Sequence, residues 1–556
     1  MTTRDERSQS WTCARAWPDA APDANPTADP ARFVRNEPKE PQAINAVVIT
    51  YPRPLVTALP RATQAWLVAA LLMLLAFAWQ GTRALWDPDE GRYTAVALQM
   101  LDSGEWLVPR LSDHQEHLTK PPLYYWSVAA SVATFGRSEW AVRLPNALAF
   151  VLTGLLLLAL GREFAPRRAW LAPLAWSTSL FTVLAANVAS TDTLLALFET
   201  AAMYCAWRAH ATGDARRWHV AMWAAFGLAF LTKGPPALLP MLALLAWRAL
   251  SGRPLRSLFP WQGLLAFAVL GLGWFIWLLA ARPELFTYFA GYEFVDRVFT
   301  ARHGRHPEWY GPFAVYVPAL LLATLPWWLL SRGWLRTLRD GLRVAAWRQA
   351  LAHRPARAFL LLWVVVPLAI LCLARSRGVL YALPLAVPLS LLVARDLSGP
   401  RALRSMARIA FVAAWAVVVL ATKGVAAIAL AHEKDARELA LALAPALADR
   451  PARILFVDET PRFGLRFYSG LPVEEVRSPA HEGPVGDVFV VHSLCSDVAD
   501  ATRPVLALRR DDAAALPACA GGSWTDRAPH AGWRAATWVP DAIAAPAPST
   551  DVPTRG

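Results

Sequence analysis

An all-α polytopic membrane protein with a small α/β domain at its C-terminal end is the fold class this sequence predicts. Three observations predict it. Of 556 residues, 56% are hydrophobic and 27 are Trp, and the mean hydropathy is +0.31, values foreign to a soluble chain. Apolar stretches of near-bilayer length follow one another from residue 64 to 431. After 431 the composition changes to short strand-like runs with intervening helical patterning.

Residues 1–63 are polar and rich in Pro, Asp and Arg. They lack an apolar h-region, so they read as a disordered cytoplasmic tail and not as a signal peptide. Apolar segments then lie near 64–81, 142–161, 168–188, 193–208, 218–232, 235–250, 259–281, 311–331, 358–374, 378–394 and 406–430. Judged against a crossing length of ~20 residues, they give about 11–13 transmembrane helices. Arginines cluster in alternate connections: Arg162, Arg167 and Arg168; Arg208, Arg216 and Arg217; Arg253 and Arg256; Arg332 to Arg357; Arg395 to Arg408. Positive loops stay cytoplasmic, so the intervening loops, the first of them at 82–140, are expected on the periplasmic face of an inner membrane. An odd number of spans puts the C-terminal end there too.

At 432–540 a periplasmic α/β domain is expected, followed by a disordered tail, 541–556. Ile454–Val457 and Val488–Val491 look like short buried strands, with helical patterning at about 434–449. Cys495 and Cys519 fall inside this domain. They either pair in an oxidising compartment or remain thiols, because spacing alone settles no connectivity. No internal repeat is evident.

The residues with chemistry lie at the ends of spans. Trp86-Asp87-Pro88-Asp89-Glu90-Gly91-Arg92-Tyr93 packs three carboxylates and an arginine beside the first apolar run, where acidic groups are costly and usually kept for function. Thr94 to Leu101 has helical patterning, so Asp89 and Glu90 stand at a helix start, about 100° apart, and cannot both face one reacting atom. Asp89 is the candidate general base. Glu90 either assists it or complements the helix dipole. Arg92, three residues on from Asp89, shares its face, and a fork-shaped guanidinium there suits a phosphate. Lys120 precedes Pro121-Pro122, which preset another helix start, where an anion is also favoured. Only five of the 55 basic residues are Lys, so Lys120 and Lys233 at loop motifs stand out against simple interfacial snorkelling. Ser190-Thr191-Asp192 and the stretch Arg375 to Tyr381 complete the set.

From Trp86 to Trp126 the sequence resembles the first periplasmic loop of the family 39 glycosyltransferases and the related lipid A aminoarabinose transferases, membrane enzymes of the GT-C class. The shared elements are Pro-Asp-Glu-x-Arg-Tyr, Gly104-Glu105-Trp106, Pro109 and Lys120-Pro121-Pro122. The likeness continues through Thr191-Asp192, Lys233-Gly234-Pro235, and Ser376-Arg377 with Tyr381, Pro384 and Pro388, covering about residues 64–400. The resemblance implies a GT-C fold, a polyprenyl-phosphate-linked sugar as donor, and a lipid or glycan acceptor on the outer face. It further implies that Asp89 is the catalytic carboxylate, that Asp192 is a second acidic site residue, and that Arg92, Lys120 and Tyr381 contact the donor phosphate. Such relatives commonly have Glu before the Lys-Pro-Pro lysine, where this chain has Thr119, which removes a contact to acceptor or metal.

Elementary chemistry agrees. A sugar leaving a lipid phosphate builds negative charge, which Arg92, Lys120 and Arg375 or Arg377 are placed to neutralise, while a base takes the acceptor proton. One in-line displacement with inversion suffices. Glu293, Asp296, Arg297, His303, Arg305, His306, Glu308 and Trp309 in the long loop 282–312 suit acceptor recognition. A divalent metal on His303, His306 and a carboxylate is conceivable, but no cofactor is required, and no nucleic-acid partner is indicated. A protein O-mannosyltransferase acting on Ser or Thr shares the acidic motif. A flippase of polyprenyl-phosphate sugars would instead place charges in mid-span and break helices in two corresponding halves.

Overall fold

The computed structural model describes residues 60–544, apart from 213, 303, 332–350, 352–353, 399–405, 430–433, 479–491, 511–514 and 528–531. Helices occupy every apolar segment read from the sequence. They are α1 (Arg61–Phe77), α2 (Asp89–Ser103), α3 (Leu123–Phe135), α4 (Glu139–Phe164), α5 (Leu171–Ser177), α6 (Leu180–Ala186), α7 (Thr191–Ala211), α8 (Ala215–Lys233) and α9 (Leu239–Leu250). After these come α10 (Trp261–Ala281), α11 (Gly311–Thr324), α12 (Pro355–Leu373), α13 (Val379–Leu397) and α14 (Met406–Ala429). The first helix begins at Arg61, slightly inside the stretch assigned to the N-terminal tail.

Among the described residues, five helices are long and apolar enough to cross a bilayer, or six if α6 and α7, bent by 114°, form one broken span. The segment 168–188 splits because Ser179 accepts from Thr182 N–H and so caps a fresh helix in mid-segment. The segment 311–331 stops at Leu325 because Pro326 has no N–H to continue it. Other apolar helices, such as α1 and α11, are simply short. Buried side chains of α4, α5, α7, α12 and α13, including Phe150, Trp176, Trp207, Phe359 and Val387, form the main core. The chain is a multi-pass membrane protein.

The C-terminal sheet is six-stranded: β1 (Ile454–Val457), β2 (Val473–Arg477), β3 (His492–Ser493), β4 (Val505–Arg510), β5 (Gly522–Asp526) and β6 (Trp533–Pro540). Their spatial order is β3-β2-β1-β4-β6-β5. β1 pairs in parallel with β2 and β4, and β2 with β3. β6 is antiparallel to β4 and β5. Among the helices that accompany it are α15 (Ala436–Ala442), α16 (Gly464–Ser469) and α17 (Leu494–Ala499). The strand expected at Val488–Val491 lies outside the described residues, and the expected tail opens with a helical turn at Asp541–Ala544. Cys495 and Cys519 are disulfide-bonded.

The sheet is not a separate appendage. One hydrophobic cluster runs from Tyr93, Val96 and Met100 of α2 and Tyr124 of α3 to Leu443, Phe463, Leu465 and Leu506. Trp86 and Asp435 form an antiparallel bridge, and Arg466 donates to Asp102 at 2.8 Å and to the Leu111 carbonyl at 2.8 Å.

Candidate functional site

The first turn of α2 sorts the acidic motif by face. Asp89 is exposed, with 56% of its side chain accessible, and forms an ion pair with Arg92. Glu90, one residue on and 1% exposed, turns the opposite way. Arg143 of α4 donates to it from Nε at 2.8 Å and Nη2 at 3.0 Å. Arg83 lies 2.8 Å away, and the backbone N–H groups of Trp86 and Ala189 each donate at 2.9 Å. Burial alone would raise this carboxyl, but Arg143 and Arg83 hold it down to about 2. Glu90 therefore sits in the site as an anchor whose acceptor positions are filled. Arg143 also donates to the carbonyls of Gln80, Arg83 and Ala84, so it ties the loop before α2 to α4. An arginine near the start of the apolar 142–161 run was the sequence signal for this strut, and it went unread.

Lys120 stands before α3, with Nζ donating to the Thr119 carbonyl at 2.7 Å and lying 3.9 Å from Glu293. Glu293 in turn accepts from Arg297 at 2.8 and 3.0 Å and from the Tyr288 hydroxyl at 3.1 Å. Burial, then the neighbouring Arg297, push the Lys120 ammonium down to about 7, with Glu293 opposing them. Arg297, Lys233 and Arg92 all lie within electrostatic reach of Lys120. The loop 282–312, expected to recognise acceptor, thus delivers Glu293 and Arg297 to the same place as the phosphate candidates. His303 lies outside the described residues, and among those described no group of three His, Cys, Asp or Glu could hold a metal.

Asp192, in the first turn of α7, is ion-paired with Lys233, in the last turn of α8. Each charge suits the dipole of its own helix end. The Lys233 ammonium lies 4.4 Å from the Tyr381 ring centroid, and Arg305 reaches the Tyr381 hydroxyl at 3.3 Å. Tyr93 links the two halves, within electrostatic reach of Asp89, Arg92, Asp192 and Tyr381. Asp89, Arg92, Lys120, Asp192 and Tyr381 therefore come together, although they lie as much as 292 residues apart in sequence. The Nε of Arg92 is buried with no hydrogen-bond partner, a donor still unspent.

Arg375 and Arg377 are placed differently. Arg377 is 5% exposed and directs Nη1 to the carbonyls of Glu308, at 3.2 Å, and His306, and Nη2 to that of Cys372, at 3.1 Å, while its Nε is buried with no hydrogen-bond partner. Arg375 is exposed and reaches the Pro307 carbonyl at 3.3 Å. Both reach the 305–308 segment, whose Arg305 donates to the Tyr381 hydroxyl. Lys233, noted in the sequence only as an unusual loop-motif lysine, and Glu293 and Arg297, read there as acceptor-recognition residues, are added to the phosphate candidates' surroundings by the structure. The scarcity of lysine was the signal for the first.

Comparison with known proteins fits this geometry. Residues 119–277 match the family described as dolichyl-phosphate-mannose-protein mannosyltransferase. An undecaprenyl phosphate-alpha-4-amino-4-deoxy-L-arabinose arabinosyl transferase 2 of Proteus mirabilis is 32% identical over 339 residues, 59% of this chain and 58% of the relative. The corresponding arabinosyl transferase of Edwardsiella ictaluri is 33% identical over 320 residues, 56% and 55% of the two chains. The match thus takes in less than two thirds of those relatives' length. The crystal structure of ArnT from Cupriavidus metallidurans bound to undecaprenyl phosphate superposes with a TM-score of 0.68 at 22% identity, covering 88% of this chain and all of that one. Its apo form gives the same score. The chain shares its fold with ArnT, and part of its sequence is similar to the arabinosyl transferases and to the family described as dolichyl-phosphate-mannose-protein mannosyltransferase.

Proposed function

We propose that this chain is a membrane glycosyltransferase that moves a sugar from a polyprenyl-phosphate donor to a lipid or glycan acceptor on the periplasmic face of the inner membrane. The observation that supports it best is the meeting of one accessible carboxylate, Asp89, with Arg92, Lys120, Lys233 and Arg297. Such a site offers a base on one side and clustered cations on the other. The acceptor hydroxyl or amine attacks the anomeric carbon, its proton passes to Asp89, and the bond from that carbon to the phosphate oxygen breaks. Polyprenyl phosphate departs with the bonding pair, and the cations meet its growing charge. The sugar is inverted at the anomeric carbon.

The relatives' names point to an undecaprenyl-phosphate-linked amino sugar as donor. Thr119, hydrogen-bonded to His117 at 2.8 Å, argues that the acceptor side of this site differs from theirs. The family model's name favours a second reading, transfer to Ser or Thr of secreted proteins. Mass spectrometry of lipid A, other glycolipids and periplasmic proteins from a deletion strain separates the two. Loss of a sugar from a lipid supports the first, loss from proteins the second, and no missing sugar anywhere overturns both. The orientation has its own test. Alkaline phosphatase fused after residue 432 is expected to be active and fused near Arg343 inactive; the reverse would remove the periplasmic site.

A further inference from the structure

Behind the face that carries Asp89 and Arg92, the chain makes a second set of contacts that the chemistry above does not use. On a helix, successive residues advance by about 100°, so Glu90 and Gly91 both point away from the Asp89–Arg92 face. Glu90 is held by the membrane helices, as described. Gly91 and the preceding Asp87 are held by the C-terminal unit. Asp87 is 2% exposed, and its Oδ1 accepts from the Gly464 N–H at the start of α16 at 3.0 Å. Its own backbone N–H donates to the Lys434 carbonyl at 3.1 Å, and Ala436 N–H donates to the Leu85 carbonyl at 3.2 Å. Leu85 N–H donates to the Tyr468 hydroxyl at 2.9 Å.

The fit here is backbone against backbone. A Cβ placed on Gly91 would drive into Gly464 N and the Asp87 carboxylate, and one on Gly464 would lie 2.9 Å from Asp87 Oδ2 and crowd Ala436 Cβ. Neither glycine has room for a side chain, so α16 seats directly on the first turn of α2. We propose that Asp87 is a positioning residue through which the C-terminal α/β unit sets the rotation of α2, and with it the aim of Asp89. The α/β unit is then a working part of the site and not a passenger. The inference rests on the reading of Asp89 as base, so its test includes a measurement that does not use turnover.

Burial raises the Asp87 carboxyl to about 7, so Asp87→Asn resembles the protonated side chain and keeps an oxygen for Gly464 N–H. Asp87→Ala removes it. In the full-length protein, Asp87→Ala is expected to lower kcat by about 10- to 100-fold, the effect of a misplacement of roughly 1 Å. Binding of undecaprenyl phosphate, which Arg92 shares with Lys120, Lys233 and Arg297, weakens by much less than kcat falls, and Asp87→Asn restores most of kcat. Hydrogen exchange supplies the independent arm: amides 85–92 exchange faster in Asp87→Ala but not in Asp87→Asn, while α7 is unchanged. Should Asp87→Ala not accumulate in membranes, Asp87→Glu, which shifts the acceptor by one methylene, is read the same way. Wild-type kcat in Asp87→Ala or Asp87→Glu, or a loss confined to donor affinity, overturns the proposal, as does equal damage from Asn and Ala. If Asp89 proves not to be the base, the exchange result still decides whether Asp87 holds α2.

Discussion

Asp89 and Glu90 are neighbours in sequence, yet they live in opposite surroundings. Asp89 faces an accessible site with Arg92 as its ion-pair partner. Glu90 is closed in by Arg143, Arg83 and two backbone N–H groups. The difference separates a carboxylate able to take a proton from one that holds the scaffold. A base needs a free lone pair and a path for the acceptor, and the filled shell of Glu90 leaves neither. A motif quoted as a unit therefore holds two carboxylates in different surroundings, split by a rotation of about 100°, and the proposed function gives them different roles.

The largest expected effect of breaking this comparison is at Glu90. Glu90→Gln leaves Arg143 and Arg83 buried without a counter-charge, which costs about 3–5 kcal/mol. The variant is expected to accumulate poorly, or to melt well below the wild type in detergent by fluorescence-detected chromatography. Near-normal melting with lost turnover would instead move Glu90 to the chemical side.

At Asp89 the same kind of change should leave the scaffold alone. Asp89→Asn is expected to insert and melt like the wild type while turnover falls at least ~10²-fold, as for removal of a general base. Near-normal turnover with the true acceptor would shift the base to Asp192, whose carboxylate already pairs with Lys233.

Much of this was legible in the sequence, for physical reasons. Apolar runs read as helices, because a chain in lipid must satisfy its backbone within itself. Lys120 was legible because a lysine is unusual in this chain and precedes two prolines. Breaks such as the one at Ser179 were harder, since the polar cap lies inside an otherwise apolar stretch. The roles of Arg143 and Asp87 were not legible, because each depends on a partner 53 and 377 residues away. The contacts of Arg377 were hidden for the same reason: nothing local says that Nη1 goes to carbonyls of the 305–308 segment.

Lys120 gives the smallest and most discriminating effect, because it resembles both sides of the comparison. Like Glu90 it is largely buried, with 15% of its side chain accessible. Like Asp89 it has capacity to spare, since its one short contact is to the Thr119 carbonyl. If it meets the donor phosphate, Lys120→Ala slows kcat by about 10²-fold and weakens donor use, since the charge on the leaving phosphate grows as the bond breaks. Lys120→Arg rescues in part, because a planar fork cannot occupy the place of a compact ammonium. The pH dependence has a definite sign. With its free-enzyme value lowered to about 7, the lysine loses its proton as pH rises past 7, and the phosphate needs that proton. Donor KM is therefore expected to climb above pH 7 in the wild type, by up to about tenfold per pH unit. In Lys120→Arg it stays flat, because guanidinium keeps its charge. Steady-state kinetics at pH 6 to 9 decide between the roles. A flat donor KM in the wild type, with near-full activity in both variants, would make Lys120 a scaffold residue and leave the phosphate to Arg92, Lys233 and Arg297.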